Sequence, residues 1–100
     1  MGMADIENIT IEDPERFEKW LCSNEVRQHR ARIVAKMLLL PQHGLTWGAA
    51  HVRHIDGNLH ELKPMHYRLY FRYERPNARF VWYGTKATQE SDIQKAKDIP

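Results

Sequence analysis

Hydrophobic and polar residues alternate most clearly in residues 67–74 of this chain. Leu69 and Phe71 fall on one face of the segment, whereas the other face carries Arg68, Tyr70 and Arg72. A two-residue period of this kind predicts a β-strand with one face in the core. We expect the opposite face to present two guanidinium groups and a phenol to solvent.

Two further segments predict neighbouring strands. Pro76 and Asn77 supply turn chemistry after the first segment, and residues 78–83 then resume a β-rich run. The two segments should therefore form a hairpin. Residues 59–63, which follow an Asp-Gly turn, predict the strand beside that hairpin.

The first half of the chain carries helix signals instead. Asp13 followed by Pro14 predicts a helix start, because the Asp side chain can accept from unpaired backbone N–H groups and Pro forfeits no needed donor there. Ser23 and Asn24 interrupt this helix and can cap a second one, which should end at Pro41 and Gly44. The second helix is predicted to bury Val26, Ile33, Val34, Met37 and Leu38, and to expose Arg27, Arg30, Arg32 and Lys36.

Weaker patterns occupy the rest of the chain. Residues 6–11 permit a short strand, residues 45–55 are predicted to be a loop, and Thr88 or Ser91 can cap a last helix. We predict a small α+β fold made of one domain over residues 1–100. It has two N-terminal helices packed on an antiparallel sheet of three to four strands, and a short C-terminal helix. Residues 1–3 can be a cloning remnant and are excluded from this prediction.

Charge is distributed unevenly, although the net formal charge is only +2. Residues 1–25 hold seven acidic side chains against Arg16 and Lys19, whereas residues 26–86 hold eleven Lys and Arg against three acidic side chains. A basic field of this size favours a polyanion or an acidic protein segment as a partner.

Other chemical signals are sparse. Cys22 is the only cysteine, which excludes an internal disulfide. The six histidines lack acidic or cysteine neighbours at metal-ligand spacing, so we predict no metal and no cofactor. No stretch is apolar and long enough to cross a bilayer and no leader opens the chain, from which we expect a cytoplasmic protein without a membrane partner.

Three groups of residues stand at the joints of the predicted strands: Gly57, Leu59, Glu61 and Leu62; Tyr67 and Arg68; and Gly84, Thr85, Lys86, Thr88, Gln89, Asp92, Ile93 and Ala96. In order and spacing they resemble segments of the RelE/HigB-type toxins of bacterial and phage toxin–antitoxin pairs. The resemblance implies a toxin that enters the ribosomal A site, cuts mRNA there without a metal, and is inhibited by a cognate antitoxin. Its partners would be the ribosome, mRNA and the antitoxin, in a homodimer or a toxin–antitoxin hetero-oligomer.

Candidate site residues follow from this resemblance. Lys63, Arg68 and Lys86 match cationic positions of the family, and we predict them to be catalytic. Arg68 should clamp the scissile phosphate, because a planar guanidinium donates two parallel hydrogen bonds. The residues predicted to bind the nucleic acid are Arg53, His66, Tyr70 and Arg72.

Two departures from the family pattern keep an alternative open. Glu61 stands where some members carry a second Lys, and the last helix lacks the Tyr or His found in others. A general acid and a general base would then have to come from Tyr70, Tyr83, His60 or His66. The alternative function is a noncatalytic binder with the RelE/ParE fold, either a gyrase inhibitor or a degenerate toxin that only binds its antitoxin.

Overall fold

The computed structural model describes residues 5–100. In chain order its elements are β1 (Asn8–Ile11), α1 (Pro14–Leu21), α2 (Arg30–His43), β2 (Val52–Asp56), β3 (Leu59–Leu62), β4 (Tyr67–Glu74), β5 (Asn77–Thr85) and α3 (Gln89–Lys97). Single 3₁₀ turns at Val26–His29 and Lys86–Thr88 precede α2 and α3. These elements form a small α+β domain with a five-stranded mixed sheet, which confirms the predicted fold class.

The sheet has the strand order β1-β5-β4-β3-β2. Strands β2 to β5 are antiparallel neighbours, as predicted for β3 to β5, but β1 pairs in parallel with β5, with Asn8 opposite Asn77. The prediction of a purely antiparallel sheet of three to four strands was therefore wrong. Two parallel neighbouring strands need a long connection along the chain. Here the connection from β1 to β5 contains α1, α2 and the other three strands.

Apolar clusters lie on both faces of the sheet. The larger cluster joins buried residues of α1 and α2, including Phe17 and Ile33, to Leu69 and Phe71 of β4. The smaller cluster lies under α3 and consists of Leu59, Tyr70, Val81 and Ala96. Since successive residues of a strand point to opposite faces, α1 and α2 cover one face of β4 and α3 covers the other.

The helix ends follow the sequence signals only in part. Asp13 accepts the Arg16 backbone N–H at 3.1 Å, as expected of an N-cap, and Gly44 leaves α2 with a φ of 71°. Ser23 caps no second helix, because its hydroxyl donates to the Trp20 carbonyl at the end of α1. Pro41 lies inside the last turn of α2, where its missing N–H removes one hydrogen bond without ending the helix.

Two further expectations are corrected. Val52–Asp56 of the predicted loop forms β2, an edge strand, which needs only one hydrogen-bonded neighbour and tolerates polar residues. Leu38 is 66% exposed and Leu40 is buried in its place, because Leu40 continues the helix face of Ile33 and Met37.

Candidate functional site

One end of the sheet collects the cations that were predicted to be catalytic. Lys63 directly follows β3, Arg68 is the second residue of β4, and Lys86 directly follows β5. Arg68 pairs with Gly84, so the three cations belong to neighbouring strands, which lie about 4.8 Å apart. His66 joins them, since its carbonyl accepts the Lys86 backbone N–H at 2.7 Å. We call Lys63, His66, Arg68 and Lys86 the cation end of the sheet.

Arg68 is the most constrained residue of the cation end. It is only 9% exposed, and its Nη1 donates to the carbonyls of Met65 at 3.0 Å and Tyr67 at 2.7 Å. Within residues 5–100 no carboxylate forms an ion pair with it, and its buried Nε has no hydrogen-bond partner. A buried cation without a counter-ion is costly, so this guanidinium is suited to hold an anion.

Lys36 of α2 adds positive charge beside Arg68. Its ammonium donates to the Lys63 carbonyl at 3.1 Å and to His51 Nδ1 at 2.7 Å. Burial lowers the pKa of Lys36, and the nearby charge of Arg68 lowers that pKa further. Burial and then the Lys36 charge also lower the pKa of His51, which favours the neutral ring that this hydrogen bond requires.

These two cations also fix the turn between β3 and β4. Lys36 binds the carbonyl of Lys63 and Arg68 binds the carbonyl of Met65, so the turn is held from α2 and from β4. Met65 has a φ of 56°, a conformation that is uncommon for residues other than glycine. Lys36 and Arg68 therefore have a structural role in this turn, whatever they bind.

Two of the predicted nucleic-acid-binding residues lie under α3. Tyr70 is 0% exposed, and burial raises its pKa. Arg72 donates to the carbonyls of Lys97 and Ile99. On the face of β4 that was expected to be open to solvent, Tyr70 is thus buried and Arg72 is partly buried. The alternation in β4 could not reveal this, because it does not show which outer residues a distant helix will bury.

Arg53, the other predicted contact outside the cation end, is paired with Glu61. The Glu61 carboxylate is completely buried and accepts from Arg53 Nε at 3.1 Å and from Gln89 Nε2 at 2.7 Å. The position where some members of the RelE/HigB family carry a Lys is here a link between β2, β3 and α3. No local pattern predicts this link, since its three residues are brought together only by tertiary packing.

Among the four side chains considered as a general acid or base, only His66 lies at the cation end. His60 lies within β3, between β2 and β4, and is 9% exposed. Burial raises the pKa of Tyr83 to about 12, and Tyr70 is enclosed under α3. His66 is exposed, and its ring centre lies 4.1 Å from that of Tyr67. It is the candidate with access to a ligand of the cation end.

His60 should make folding stability depend on pH. Burial lowers its pKa from the ordinary value of 6.5, so the unfolded chain takes up this proton more readily than the folded one. The neutral His60 ring therefore contributes to the free energy of unfolding. This contribution is complete above pH 6.5 and is lost as the pH falls towards the lower pKa of the folded state. Urea unfolding at several pH values across this range should show the decline, and His60→Phe should flatten it. An unchanged slope in His60→Phe would exclude His60 as the cause.

Metal sites and membrane spans were also considered. Residues 5–100 contain no group of three or more His, Cys, Asp and Glu side chains that could hold a metal ion. None of the helices in this part of the chain is long and apolar enough to span a bilayer. No known protein family matches the chain, and neither does any curated protein sequence. The function is therefore inferred from the side chains of the cation end.

Proposed function

We propose that this protein is a RelE/HigB-type toxin, which cleaves mRNA on the ribosome without a metal and is inhibited by a cognate antitoxin. The observation that carries the proposal is the buried guanidinium of Arg68, which has no acidic partner within residues 5–100. It lies at the sheet end where Lys63 and Lys86 flank it on the neighbouring strands.

Cleavage of RNA through its own 2′-hydroxyl needs only a few groups. A base takes the proton of the 2′-oxygen, which attacks the adjacent phosphorus, and an acid protonates the leaving 5′-oxygen. The 2′-oxygen–phosphorus bond forms as the phosphorus–5′-oxygen bond breaks. Fixed cations stabilise the negative charge that develops on the phosphorus oxygens, so the reaction can proceed without a metal.

The cation end supplies these groups as follows. Arg68 binds the scissile phosphate, and two carbonyls hold its Nη1 before any RNA arrives, which reduces the reorganisation needed in the transition state. Lys86 is exposed and contributes charge from β5. Lys63 contributes from β3, where its ammonium donates to the Ala49 carbonyl at 2.9 Å. His66 transfers protons, a task for which imidazole is suited near neutral pH.

The antitoxin is proposed to be an acidic segment that competes with RNA for this basic surface. The exposed Arg32 of α2 adds further positive charge beside this surface. Long-range attraction between opposite charges speeds association, and salt weakens it. The toxin and its antitoxin should therefore associate more slowly as the salt concentration rises.

One observation favours the alternative, a noncatalytic RelE/ParE-fold binder that inhibits gyrase or only binds an antitoxin. Of the four candidate groups for proton transfer, Tyr70 is enclosed, His60 lies inside the sheet, and the pKa of Tyr83 is raised. His66 is the candidate that is left. Without proton transfer by His66, the cation end would bind a polyanion and leave it uncut.

Expression of this chain alone in bacteria should arrest growth by cutting translated messages. Primer extension on RNA from induced cells should then show new 5′ ends inside coding frames. A matched message without its start codon should stay intact, because the proposed cleavage needs the ribosome. Intact messages together with altered DNA supercoiling would favour the gyrase inhibitor instead, and growth arrest with neither change would contradict both.

A further inference from the structure

A pocket of about 360 Å³ opens beside the cation end. It lies between α2 and the turn that follows β3, and its lining includes Arg32, Lys36, Leu39, Trp47, Pro64 and Met65. We call it the turn pocket. It adjoins the cation end directly, since Arg68 donates to the carbonyl of Met65 and the charge of Arg68 acts on Lys36.

The turn pocket combines positive charge with an apolar wall. Arg32 is exposed at the pocket, and no acidic side chain of residues 5–100 lines it. Lys36 uses its ammonium for the Lys63 carbonyl and for His51, and because an ammonium has three donors, one N–H remains for an anion. The lining therefore suits a ligand with a negative group next to a flat apolar part.

Trp47 is held in place within this wall. Its ring is stacked between those of His43 and His51, at centroid distances of 4.2 Å and 4.7 Å. Both faces of the indole are thus occupied, so a ligand meets its edge. Together with Leu39 and Met65 this edge forms a surface on which a nucleobase can lie.

We infer that the turn pocket binds one nucleotide of single-stranded RNA beside the phosphate that Arg68 holds. The base lies on the wall of Leu39, Trp47 and Met65, and the phosphate contacts Arg32 and Lys36. A volume of about 360 Å³ is near the lower end of small-molecule pockets, which fits a single nucleotide. This inference rests on the proposed function, and it implies a base preference at a fixed distance from the cleaved bond.

Two matched pairs of variants test the pocket in a binding assay with a short 2′-O-methyl RNA, which cannot be cut through its 2′-oxygen. Arg32→Gln and Arg27→Gln remove the same charge from exposed positions, but only Arg32 lines the pocket. Losing one phosphate contact should lower the slope of log affinity against log salt by about 0.7 for a single strand. We expect this change in Arg32→Gln and an unchanged slope in Arg27→Gln.

The second pair adds a negative charge at neighbouring exposed positions of α2. Leu39 lines the pocket and is 42% exposed, whereas Leu38 lies outside it and is 66% exposed. Leu39→Glu should weaken RNA binding roughly five-fold or more, because a carboxylate in the pocket repels the RNA phosphate. Leu38→Glu should have a smaller effect. Equal effects within both pairs would overturn the inference, because they would show attraction by overall charge alone.

An NMR titration of the unmodified protein with the same RNA gives an independent readout. The indole N–H signal of Trp47, assigned with Trp47→Phe, should move, and that of Trp82, which donates to Asp92, should not. A stationary Trp47 signal with saturable RNA binding would overturn the pocket. Message cleavage in cells would still support the proposed cleavage in that case. A moving Trp47 signal together with intact messages would support the pocket and contradict the proposed cleavage.

Discussion

Arg68→Ala should abolish the growth arrest and the message cleavage that we propose for this chain. Removing one donor that stabilises transition-state charge costs about 2.7 to 4 kcal/mol, or roughly 100- to 1,000-fold in rate. The loss should be large because the neighbouring cations, Lys63 and Lys86, are lysines, whose point charges cannot replace a planar guanidinium. Growth after induction and primer extension on a translated message measure the effect, at matched soluble expression.

Disruption of the turn between β3 and β4 is the competing explanation for a loss of activity in Arg68→Ala, since Arg68 also binds the Met65 carbonyl. Thermal unfolding of the purified variant should show a folded protein. Arg68→Lys should recover part of the activity, because charge remains while the planar fork is lost. Arg79→Ala, which removes an ion-paired Arg from the neighbouring β5, should stay toxic and serves as the control. Undiminished toxicity of Arg68→Ala would remove Arg68 from the site.

Gly84→Ala should lower the free energy of unfolding by roughly 3 kcal/mol, through overpacking and lost buried hydrogen bonds. A methyl group on Gly84 would clash with Asp92 Oδ2. Asp92 is 6% exposed, and its carboxylate accepts from Trp82 Nε1 at 3.1 Å and from the Thr88 hydroxyl. The methyl group must therefore displace this carboxylate or push the start of α3 away from β5.

Urea unfolding measures this cost, and a double-mutant cycle tests its cause. In an Asp92→Ala background the clashing atoms are absent, so adding Gly84→Ala should cost much less than it does in the original chain. Gly57→Ala serves as a comparison, because a Cβ there meets no atom within 4 Å and its cost should reflect only the φ of 55°. Additive costs for Gly84→Ala and Asp92→Ala would contradict the steric explanation.

The strongest local patterns predicted structure well. The alternation of apolar and polar residues placed β4 at residues 67–74, and the predicted partner over residues 78–83 lies within β5. Asp13 and Pro14 marked the start of α1 correctly. Such signals depend only on nearby residues, so a single sequence contains them.

The missed features depend on contacts between distant residues. The parallel pairing of β1 with β5 joins segments that no local pattern connects. The burial of Tyr70 depends on α3, whose narrow apolar side gave no indication of the sheet face it covers. At the site, Lys63, Arg68 and Lys86 were chosen from the resemblance, and the sheet places all three at one end. The place of Lys36 beside the turn was missed, because a helix cation gives no sequence sign of the loop it binds.

The pairing of the first strand with the fifth has a consequence for protein synthesis. Asn8 and Asn77 are 69 positions apart, and joining such distant segments is slow because the loop between them must first be ordered. Strand β5 also flanks Arg68, so Arg68 acquires its neighbour only after the chain up to residue 85 has left the ribosome. Under the proposed function, we therefore expect a nascent copy to be inactive towards the ribosome that makes it. The proposed toxicity would begin only after β5 has paired, when a waiting antitoxin can already bind the finished surface.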